Sequence, residues 1–321
     1  MLQPFMLEPS YRDYVWGGNR LRPNVKITAE AWIVYEGNKV ANGVYAGKTL
    51  EEVTAKEGET LLGSQVFAQT GSRFPLLIKL LDCADWLSLQ VHPNDDQAEQ
   101  LEGSGHFGKT EAWYVVEADD GAQLLGGLIE GISPADIKTG LQKGQILSLT
   151  QHHDVQTGDS IFIPAGMIHA LGPGLLIYEV QQTSDITYRV YDWDRPMTAG
   201  RKLHIDQAAV VLNPELRGEL LPGPSRDFDG IKKLIASTYF RLDLIVGKTG
   251  VIDLEPREGS FSAITILDGH VKISGPGWQF ELTRFETLVI PAIWRAIQIE
   301  FKGRVRALRS AANAGQLMQP Q

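Results

Sequence analysis

The sequence predicts a mainly β protein made of two tandem jelly-roll lobes with a few short helices. Three observations lead to this fold class. Short apolar stretches broken by Gly, Pro, Asn and Asp recur along the chain, which is typical of a β-sandwich or barrel. A stretch near the middle of the chain resembles a stretch near its end. The 321 residues also exceed what a single hydrophobic core usually needs.

The internal repeat relates residues 156–171, QTGDSIFIPAGMIHAL, to residues 283–298, TRFETLVIPAIWRAIQ. Each copy has an apolar strand that ends in Ile-Pro-Ala, then a turn and a second strand. The first copy has a Gly-Asp turn, a strand that ends in IPAG, and then a histidine. This order is typical of the cupin, which is a jelly-roll fold. The repeat therefore predicts two cupin lobes in one chain.

The two copies differ in their polar residues. The first copy contains His169, whereas the second has Trp294 and Arg295 near the corresponding place. We therefore expect a metal-binding catalytic lobe with short helical segments over residues 1–228. A second cupin lobe without metal ligands is expected over residues 229–321.

Helical signals are few. Residues 93–103, PNDDQAEQLEG, combine an acidic start with a glycine stop. Ser133 and Pro134 provide an N-cap and a first-turn proline for a second helix. Residues 204–216, HIDQAAVVLNPEL, predict a third helix, and the stretch LPGPSRDFDG at 221–230 is the best candidate for a linker.

Composition excludes several function classes. The net charge of −9, without a basic stripe, argues against nucleic-acid binding. The single cysteine, Cys83, allows no internal disulfide and fits a reducing compartment. The first residues lack the pattern of a signal peptide, and no apolar stretch is long enough to span a membrane. We therefore expect a cytoplasmic protein without nucleic-acid or membrane partners.

The stretch SLQVHPND carries an unusual polar face. Along an extended strand, Ser88, Gln90 and His92 point to one side, while apolar residues point to the other. Alternation alone is typical of any sheet with one wet face. In GKTEAWYVVEA, Lys109 and Glu111 also share one face.

Four polar residues near predicted strand ends could together hold a metal ion. They are Gln90, His92, Glu111 and His169. Two imidazoles, a carboxylate and an amide oxygen suit Zn²⁺ with one position left for water or substrate. Taken alone, each histidine is more often structural, and Glu111 could simply pair with Lys109. The complete set at cupin positions is much harder to explain in that way.

The segment 177–195, IYEVQQTSDITYRVYDWDR, is dense in charged and aromatic residues. A solvated strand would also alternate, and Arg189 could merely pair with Asp185 or Asp192. Arg189 would nevertheless supply a positive charge that never titrates. His204, further along the chain, is interpreted as structural.

The chain resembles the type I phosphomannose isomerases, in their short bacterial form. The resemblance covers nearly the whole chain and is carried by LQVHPND, GKTEAWYV, IPAGMIHALGPG and EVQQTSDITYRVYDWDR. It implies one Zn²⁺ per chain. The residues that would bind it are Gln90, His92, Glu111 and His169. It also implies a catalytic role for Arg189 and places Ser88, Lys109 and Glu179 in the pocket.

The resemblance implies the interconversion of mannose 6-phosphate and fructose 6-phosphate through an enediol. Zn²⁺ and Arg189 would stabilise the negative charge that develops on the substrate oxygens. Lys109 at the pocket mouth, with the Ser88 hydroxyl, is the candidate contact for the phosphate. Glu179 and a zinc-bound water are both candidates for the base.

Two other functions stay open at this stage. One is a different metal-dependent cupin enzyme, such as an Fe(II) oxygenase or another sugar-phosphate isomerase. The other is a non-catalytic cupin that binds a sugar phosphate. If the protein is the isomerase or the binding protein, its expected partner is a small sugar phosphate. We expect a monomer or a weak homodimer.

Overall fold

A computed structural model describes residues 1–25, 27–196, 201–257 and 259–313. The chain divides into two compact units. One unit, here the interrupted unit, contains Met1–Ser10, Trp32–Ile78 and the residues from Pro224 onwards. The other, here the central unit, contains Tyr11–Ala31 and Lys79–Gly223.

The boundary at Pro224 falls inside the linker expected at 221–230. The units nevertheless differ from the continuous division expected between residues 228 and 229. Within the interrupted unit, the N-terminal strand pairs with a strand near the C-terminus, with Phe5 opposite Val289. The Ala292 N–H also donates a hydrogen bond of 2.9 Å to the Leu61 carbonyl. These long-range contacts bring the early segments into the C-terminal core.

Strands are the main regular element among the described residues. The strands are β1 (Phe5–Met6), β2 (Ser10–Arg12), β3 (Glu30–Val34), β4 (Leu76–Cys83), β5 (Leu89–Val91), β6 (Glu111–Ala118), β7 (Gln123–Leu128), β8 (Thr150–Asp154), β9 (Ser160–Ile163), β10 (His169–Leu171), β11 (Leu175–Gln182), β12 (Tyr188–Tyr191), β13 (Leu220–Leu221), β14 (Gly230–Ala236), β15 (Phe240–Leu254), β16 (Ser262–Asp268), β17 (Val271–Gly275), β18 (Trp278–Leu282), β19 (Thr287–Ile290) and β20 (Ile297–Ala312). The helices are α1 (Leu50–Glu57), α2 (Glu59–Leu62), α3 (Ser64–Thr70), α4 (Asp95–Glu102), α5 (Pro134–Lys143) and α6 (Ile205–Val211). The mainly β fold class expected from the sequence is confirmed.

Two antiparallel sheets of the central unit position the polar residues. One sheet has the order β12-β5-β10-β7-β8, and the other contains the run β13-β9-β6-β11-β4. In the first sheet, Gln90 on β5 lies between His169 on β10 and Arg189 on β12. In the second, Glu179 lies opposite Trp113 on β6. Residues far apart in sequence are thus neighbours across strands.

The predicted helices form where the capping signals are. Asn94 caps α4 and Ser133 caps α5, and each cap accepts a hydrogen bond from the third residue of its helix. The third predicted helix corresponds to α6. Helices α1 to α3 go beyond the prediction. They are short, and Gly58 and Gly63 separate them at positive φ, so no long apolar period marks them in the sequence.

The repeat seen in the sequence has the same local structure in both copies. β9 and β10 flank one turn, and β19 and β20 flank the other. In the second copy Trp294 is buried, and its indole N–H donates to the Leu2 carbonyl at 2.8 Å. That position therefore contributes to packing. No helix in the described part of the chain combines the length and the hydrophobicity that crossing a bilayer requires.

Candidate active site

Three ionisable side chains of the central unit meet at one point. His92, Glu111 and His169 are at most 1% exposed, and one ligand atom of each lies within 4.8 Å of the others. The Glu111 carboxylate lies 3.5 Å from His92 Nε2 and 3.3 Å from His169 Nε2. This cluster could hold a metal ion. Three of the four residues implied by the sequence are thus brought together.

Backbone carbonyls fix the orientation of both imidazoles. His92 Nδ1 lies 2.9 Å from the Ile186 carbonyl, and His169 Nδ1 lies 2.9 Å from the Met167 carbonyl. Because a carbonyl only accepts, Nδ1 carries the proton in each ring. Nε2 of each neutral ring then carries the free lone pair on the side that faces the cluster. This is the arrangement in which a histidine ligates a metal through Nε2.

Burial keeps both imidazoles neutral. Burial, and then the nearby Lys109 ammonium, lower the pKa of His92 well below its ordinary value. The same two causes lower the pKa of His169 to about 3. A neutral ring is the form that can bind a metal, so the site does not have to lose protons from these rings at neutral pH.

The Glu111 carboxylate is completely buried. Burial, and then the negative charge of Glu179, raise its pKa to about 7, although Lys109 opposes the rise. Among the described residues, no donor makes a hydrogen bond of good geometry to Glu111 Oε1. A buried carboxylate oxygen without a donor is costly, and a cation bound there would satisfy it.

Lys109 is part of the same cluster. Its ammonium lies 2.6 Å from Glu111 Oε2 and 3.0 Å from His92 Nε2, and the residue is 4% exposed. The expectation of a position at the pocket mouth differs from this buried location. Lys109 lies two residues before Glu111, the first residue of β6, and its ammonium turns inwards to contact that carboxylate.

Gln90 and Ser88 border the cluster. The Gln90 amide nitrogen lies 3.3 Å from His169 Nε2, and the Ser88 hydroxyl donates to the Gln90 amide oxygen at 3.4 Å. The Gln90 amide is thus beside the imidazoles, where the sequence places a fourth ligand.

A polar cavity of about 280 Å³ lies against the cluster. Gln90 and Lys109 both line it and both contact the cluster. The other basic and acidic residues that line it are Lys79, Arg189, Arg201, Glu30, Glu179 and Asp185. Such a cavity suits a small, strongly polar ligand.

Glu179 is ionised in the cavity wall. The Trp113 indole N–H donates to it at 2.9 Å, and Lys79 lies 3.4 Å from its other oxygen. Burial alone would raise its pKa, but Lys109 and Lys79 outweigh burial and lower it. Glu179 is therefore a carboxylate at neutral pH that is positioned by two named contacts.

Arg189 lines the cavity without an acidic partner among the described residues. Its Nη1 donates to the Lys202 carbonyl at 3.1 Å. In the described part of the chain no carboxylate lies within 4.0 Å of its guanidinium, and Asp192 pairs with Arg195 and Arg201 instead. Among the described residues, the ion pair with Asp185 or Asp192 that a purely structural role of Arg189 would require is therefore not formed. Burial, and then Arg201, lower the pKa of Arg189.

Several cavity residues were missed in the sequence. Lys79 on β4 and Glu30 on β3 form a buried pair at 3.8 Å, and Lys79 also contacts Glu179. Glu30 begins an otherwise apolar strand, and Lys79 has apolar neighbours on both sides in β4, which also contains Asp82. Charged residues in such stretches are seldom buried without a partner, and this was the available signal. Arg201 also lines the cavity. So does His204, which was interpreted as structural, and its Nδ1 accepts from the Arg189 N–H at 3.3 Å.

Comparisons with known proteins identify relatives of this chain. The family model for the catalytic domain of type I phosphomannose isomerase matches residues 5–114. The chain is 34% identical to a mannose-6-phosphate isomerase from Streptococcus mutans, over 98% of this chain and 99% of that protein. It is 30% identical to the mannose-6-phosphate isomerase ManA from Bacillus subtilis, over 90% of this chain and 93% of that one.

Among solved structures, the mannose 6-phosphate isomerase from Bacillus subtilis superposes with a TM-score of 0.84 at 30% identity. The match covers 96% of this chain and 99% of that one. With a relative at 34% identity over nearly the full length, and with the same fold, the chain belongs to the type I phosphomannose isomerase family.

Proposed function

We propose that this protein interconverts mannose 6-phosphate and fructose 6-phosphate and that it uses one Zn²⁺ per chain. The observation that carries the proposal is the His92–Glu111–His169 cluster in contact with a polar cavity. The cavity contains Arg189, a cation without an acidic partner in the described part of the chain, which suits an anionic substrate. Membership of the isomerase family supports the same reaction.

The chemistry of the donors supports zinc. Two neutral imidazole nitrogens and a carboxylate oxygen are ligands that Zn²⁺ takes in catalytic sites. We assign the fourth ligand to the Gln90 amide oxygen. The buried Glu111 oxygen without a donor is the feature that a metal would satisfy. Zn²⁺ bound here would supply Lewis-acid stabilisation of negative charge on the substrate oxygens.

Glu179 is the candidate for the proton-transfer base. An aldose–ketose isomerisation moves one proton between C2 and C1 through an enediol. A carboxylate that takes the C2 proton and returns it to C1 accounts for the carbon-bound proton. The reaction balances when a second proton passes from the O2 hydroxyl to O1. Glu179 is ionised at neutral pH, lines the cavity and is oriented by Trp113 and Lys79, as such a base requires.

Arg189 and Lys109 are assigned to the charges of the substrate. Arg189 would stabilise the negative charge that develops as the enediol forms. Lys109, with the Ser88 hydroxyl, would bind the sugar phosphate, because hydrogen bonds from charged donors to phosphate are strong. Both assignments rest on the position of these side chains in the cavity wall.

We further propose that the protein is cytoplasmic and that it is a monomer or a weak homodimer. The lone cysteine, Cys83, is buried, which supports a reducing compartment in which no disulfide is needed. Light scattering across a range of concentrations tests the oligomeric state.

A coupled assay tests the function. Fructose 6-phosphate formed from mannose 6-phosphate is measured before chelation, after chelation and after Zn²⁺ is added back. We expect turnover before chelation, no turnover after chelation, and recovered turnover once Zn²⁺ is added back. The His152→Ala variant, altered on exposed β8, is the matched control and should behave like the wild type. Sugar-phosphate binding without turnover at any metal content would instead indicate a binding protein, and turnover insensitive to chelation would contradict the metal.

A further inference from the structure

The interrupted unit contains a buried charge cluster at the inner face of its sheet. Arg309 on β20 lies opposite Asp243 on β15 and opposite Ile264 on β16. Ile264 belongs to the hydrophobic core of this unit. Because paired residues of neighbouring strands point to the same side, Arg309 and Asp243 also point towards the core. Arg309 is 2% exposed and Asp243 is fully buried.

The buried acid of this cluster already has partners. Asp243 accepts a hydrogen bond from Arg241 at 2.9 Å and forms an ion pair with Arg257. Arg309, in contrast, forms no ion pair with any described residue within 4.0 Å. Its Nε and Nη2 atoms are buried without a hydrogen-bond acceptor in the described part of the chain.

Two further buried polar atoms of the interrupted unit lack partners among the described residues. They are the Ser260 hydroxyl, in a residue that is 4% exposed, and Nε of Arg257. The two residues belong to one turn, since the Ser260 N–H donates to the Arg257 carbonyl at 3.2 Å. Donors from a strand and from a turn are therefore left without acceptors in the same part of the unit.

The charge balance of the cluster favours an anion. Arg241, Arg257 and Arg309 carry three positive charges. Among the described residues, the buried carboxylate of Asp243 pairs with Arg241 and Arg257 but not with Arg309. Burial lowers the pKa of Arg309, and Arg241 lowers it further, although the negative charge of Glu255 opposes the change. Burial lowers the pKa of Arg257, and Arg309 adds to that effect. A buried cation without a counter-charge destabilises the fold, and a bound anion would remove that cost.

We propose that Arg309, Arg257 and Ser260 form a second ligand site, which binds a small oxyanion of the phosphate or sulfate class. Guanidinium groups offer paired N–H donors that match the oxygens of such an ion, and a serine hydroxyl adds one more donor. The partly exposed side chains of Arg241 and Arg257, at 37% and 19%, give the ion a route from solvent. All residues of this site lie in the interrupted unit, whereas the candidate active site is built from residues of the central unit.

Inorganic phosphate is the probe for this site. The melting temperature of the full-length protein is measured with increasing phosphate at constant ionic strength, with chloride as the reference ion. A ligand that binds only the folded state raises the melting temperature to an extent set by its affinity and concentration. We expect phosphate to raise it in the wild type, and calorimetric titration to give an affinity at least tenfold weaker in Arg309→Met.

Two controls separate this site from other cationic sites. Arg306→Met removes an arginine of the same strand that pairs with Asp268, and it should keep the full phosphate effect. Lys109→Ala removes the proposed phosphate contact of the candidate active site and should also keep an effect that Arg309→Met weakens. An effect lost in Lys109→Ala and retained in Arg309→Met would overturn the proposal, as would the absence of any phosphate effect in the wild type.

Stability without phosphate gives an independent readout. Removal of an unpaired buried charge should leave the melting temperature of Arg309→Met unchanged or higher in phosphate-free buffer. If Arg309 is purely structural, the melting temperature of Arg309→Met in phosphate-free buffer should be lower than that of the wild type, and phosphate should still raise it. That result would contradict the proposed site. If Arg309→Met does not fold, Ser260→Ala carries the same test. It keeps every charge and should weaken phosphate binding, and unchanged binding would overturn the role of the hydroxyl.

Discussion

The Lys109 ammonium lies 2.6 Å from a carboxylate oxygen of Glu111, and both side chains are almost completely buried. The cation therefore touches a residue of the candidate metal cluster directly. It also lines the cavity in which the substrate is proposed to bind. Lys109 can consequently act on the substrate, on the cluster or on both, and kinetics with metal analysis separate these roles.

For Lys109→Ala we expect KM for mannose 6-phosphate to rise by more than kcat falls. A contact to the phosphate is equally strong in the ground state and in the transition state, so its loss acts mainly on KM. Steady-state kinetics at full zinc content provide the measurement. Lys138→Ala, an exposed change on α5, is the matched control. A large fall in kcat at unchanged KM would assign Lys109 to the chemical step instead.

For Arg189→Ala we expect kcat to fall by ~10²-fold or more while zinc stays bound, the range for loss of one preorganised electrostatic donor. Arg189 is not a candidate ligand, because a guanidinium has no lone pair for a metal. Arg189→Lys should recover the rate only in part, because lysine lacks the planar fork. Kinetics beside a melting curve are decisive: near-normal kcat with a lowered melting temperature would make Arg189 a structural residue.

The double variant His92→Ala/His169→Ala should lose its metal. The wild type is expected to contain about one zinc per chain, because the structure has one His–Glu–His cluster among its described residues. Elemental analysis after dialysis measures the content. Added zinc should raise the melting temperature of the metal-free wild type but not that of the variant, since binding stabilises the folded state. Stoichiometric zinc retained by the double variant would rule out the assignment.

For Lys79→Met we expect a loss of ~3–5 kcal/mol in the free energy of unfolding, the usual effect of removing one partner of a buried ion pair. Glu30 and Glu179 would be left buried with less compensation. A second change, Glu179→Gln, should recover part of the loss. Urea denaturation measures both variants. Lys48→Met breaks an exposed pair with Glu52 and should change little. Equal effects of Lys79→Met and Lys48→Met would show that the buried pair does not stabilise the fold.

Glu179 should also give the fold a specific pH dependence. Its pKa in the folded protein is lowered, because Lys109 and Lys79 outweigh burial. A carboxylate with a lowered folded pKa stabilises the protein above its unfolded pKa of ~4.3, and the contribution is lost as the pH falls through the folded value. The wild type should therefore lose more stability than Glu179→Gln between neutral pH and the acid range. Parallel stability curves for the two proteins would contradict this account.

The sequence was sufficient to predict that His92, Glu111 and His169 lie close together, because strand periodicity is simple. Alternation placed Ser88, Gln90 and His92 on one face, and the repeat located His169 at the end of an IPAG strand. The sequence was not sufficient to predict the ion pairs of Lys79, because its partners lie on other strands. A charged residue between apolar neighbours in a strand indicates that a partner exists, but the identity of that partner depends on sheet order.

The division into units was the least predictable feature. β1 pairs with β19 across almost the whole chain, and no local signal in the first residues specifies that contact. The repeat and the linker at 221–230 pointed to two continuous halves. Pairing of distant strands depends on burial of both partners in one core, which a single sequence does not display.

The imidazoles of His92 and His169 are oriented by main-chain carbonyls of Ile186 and Met167. A carbonyl group is present whatever side chain its residue carries. Substitutions at Ile186 can therefore change its side chain while the carbonyl still accepts from Nδ1 of His92 and leaves Nε2 free to bind a metal. In an engineered variant, the orientation of these rings should persist through extensive redesign of the surrounding side chains, provided that the strand ends keep their path.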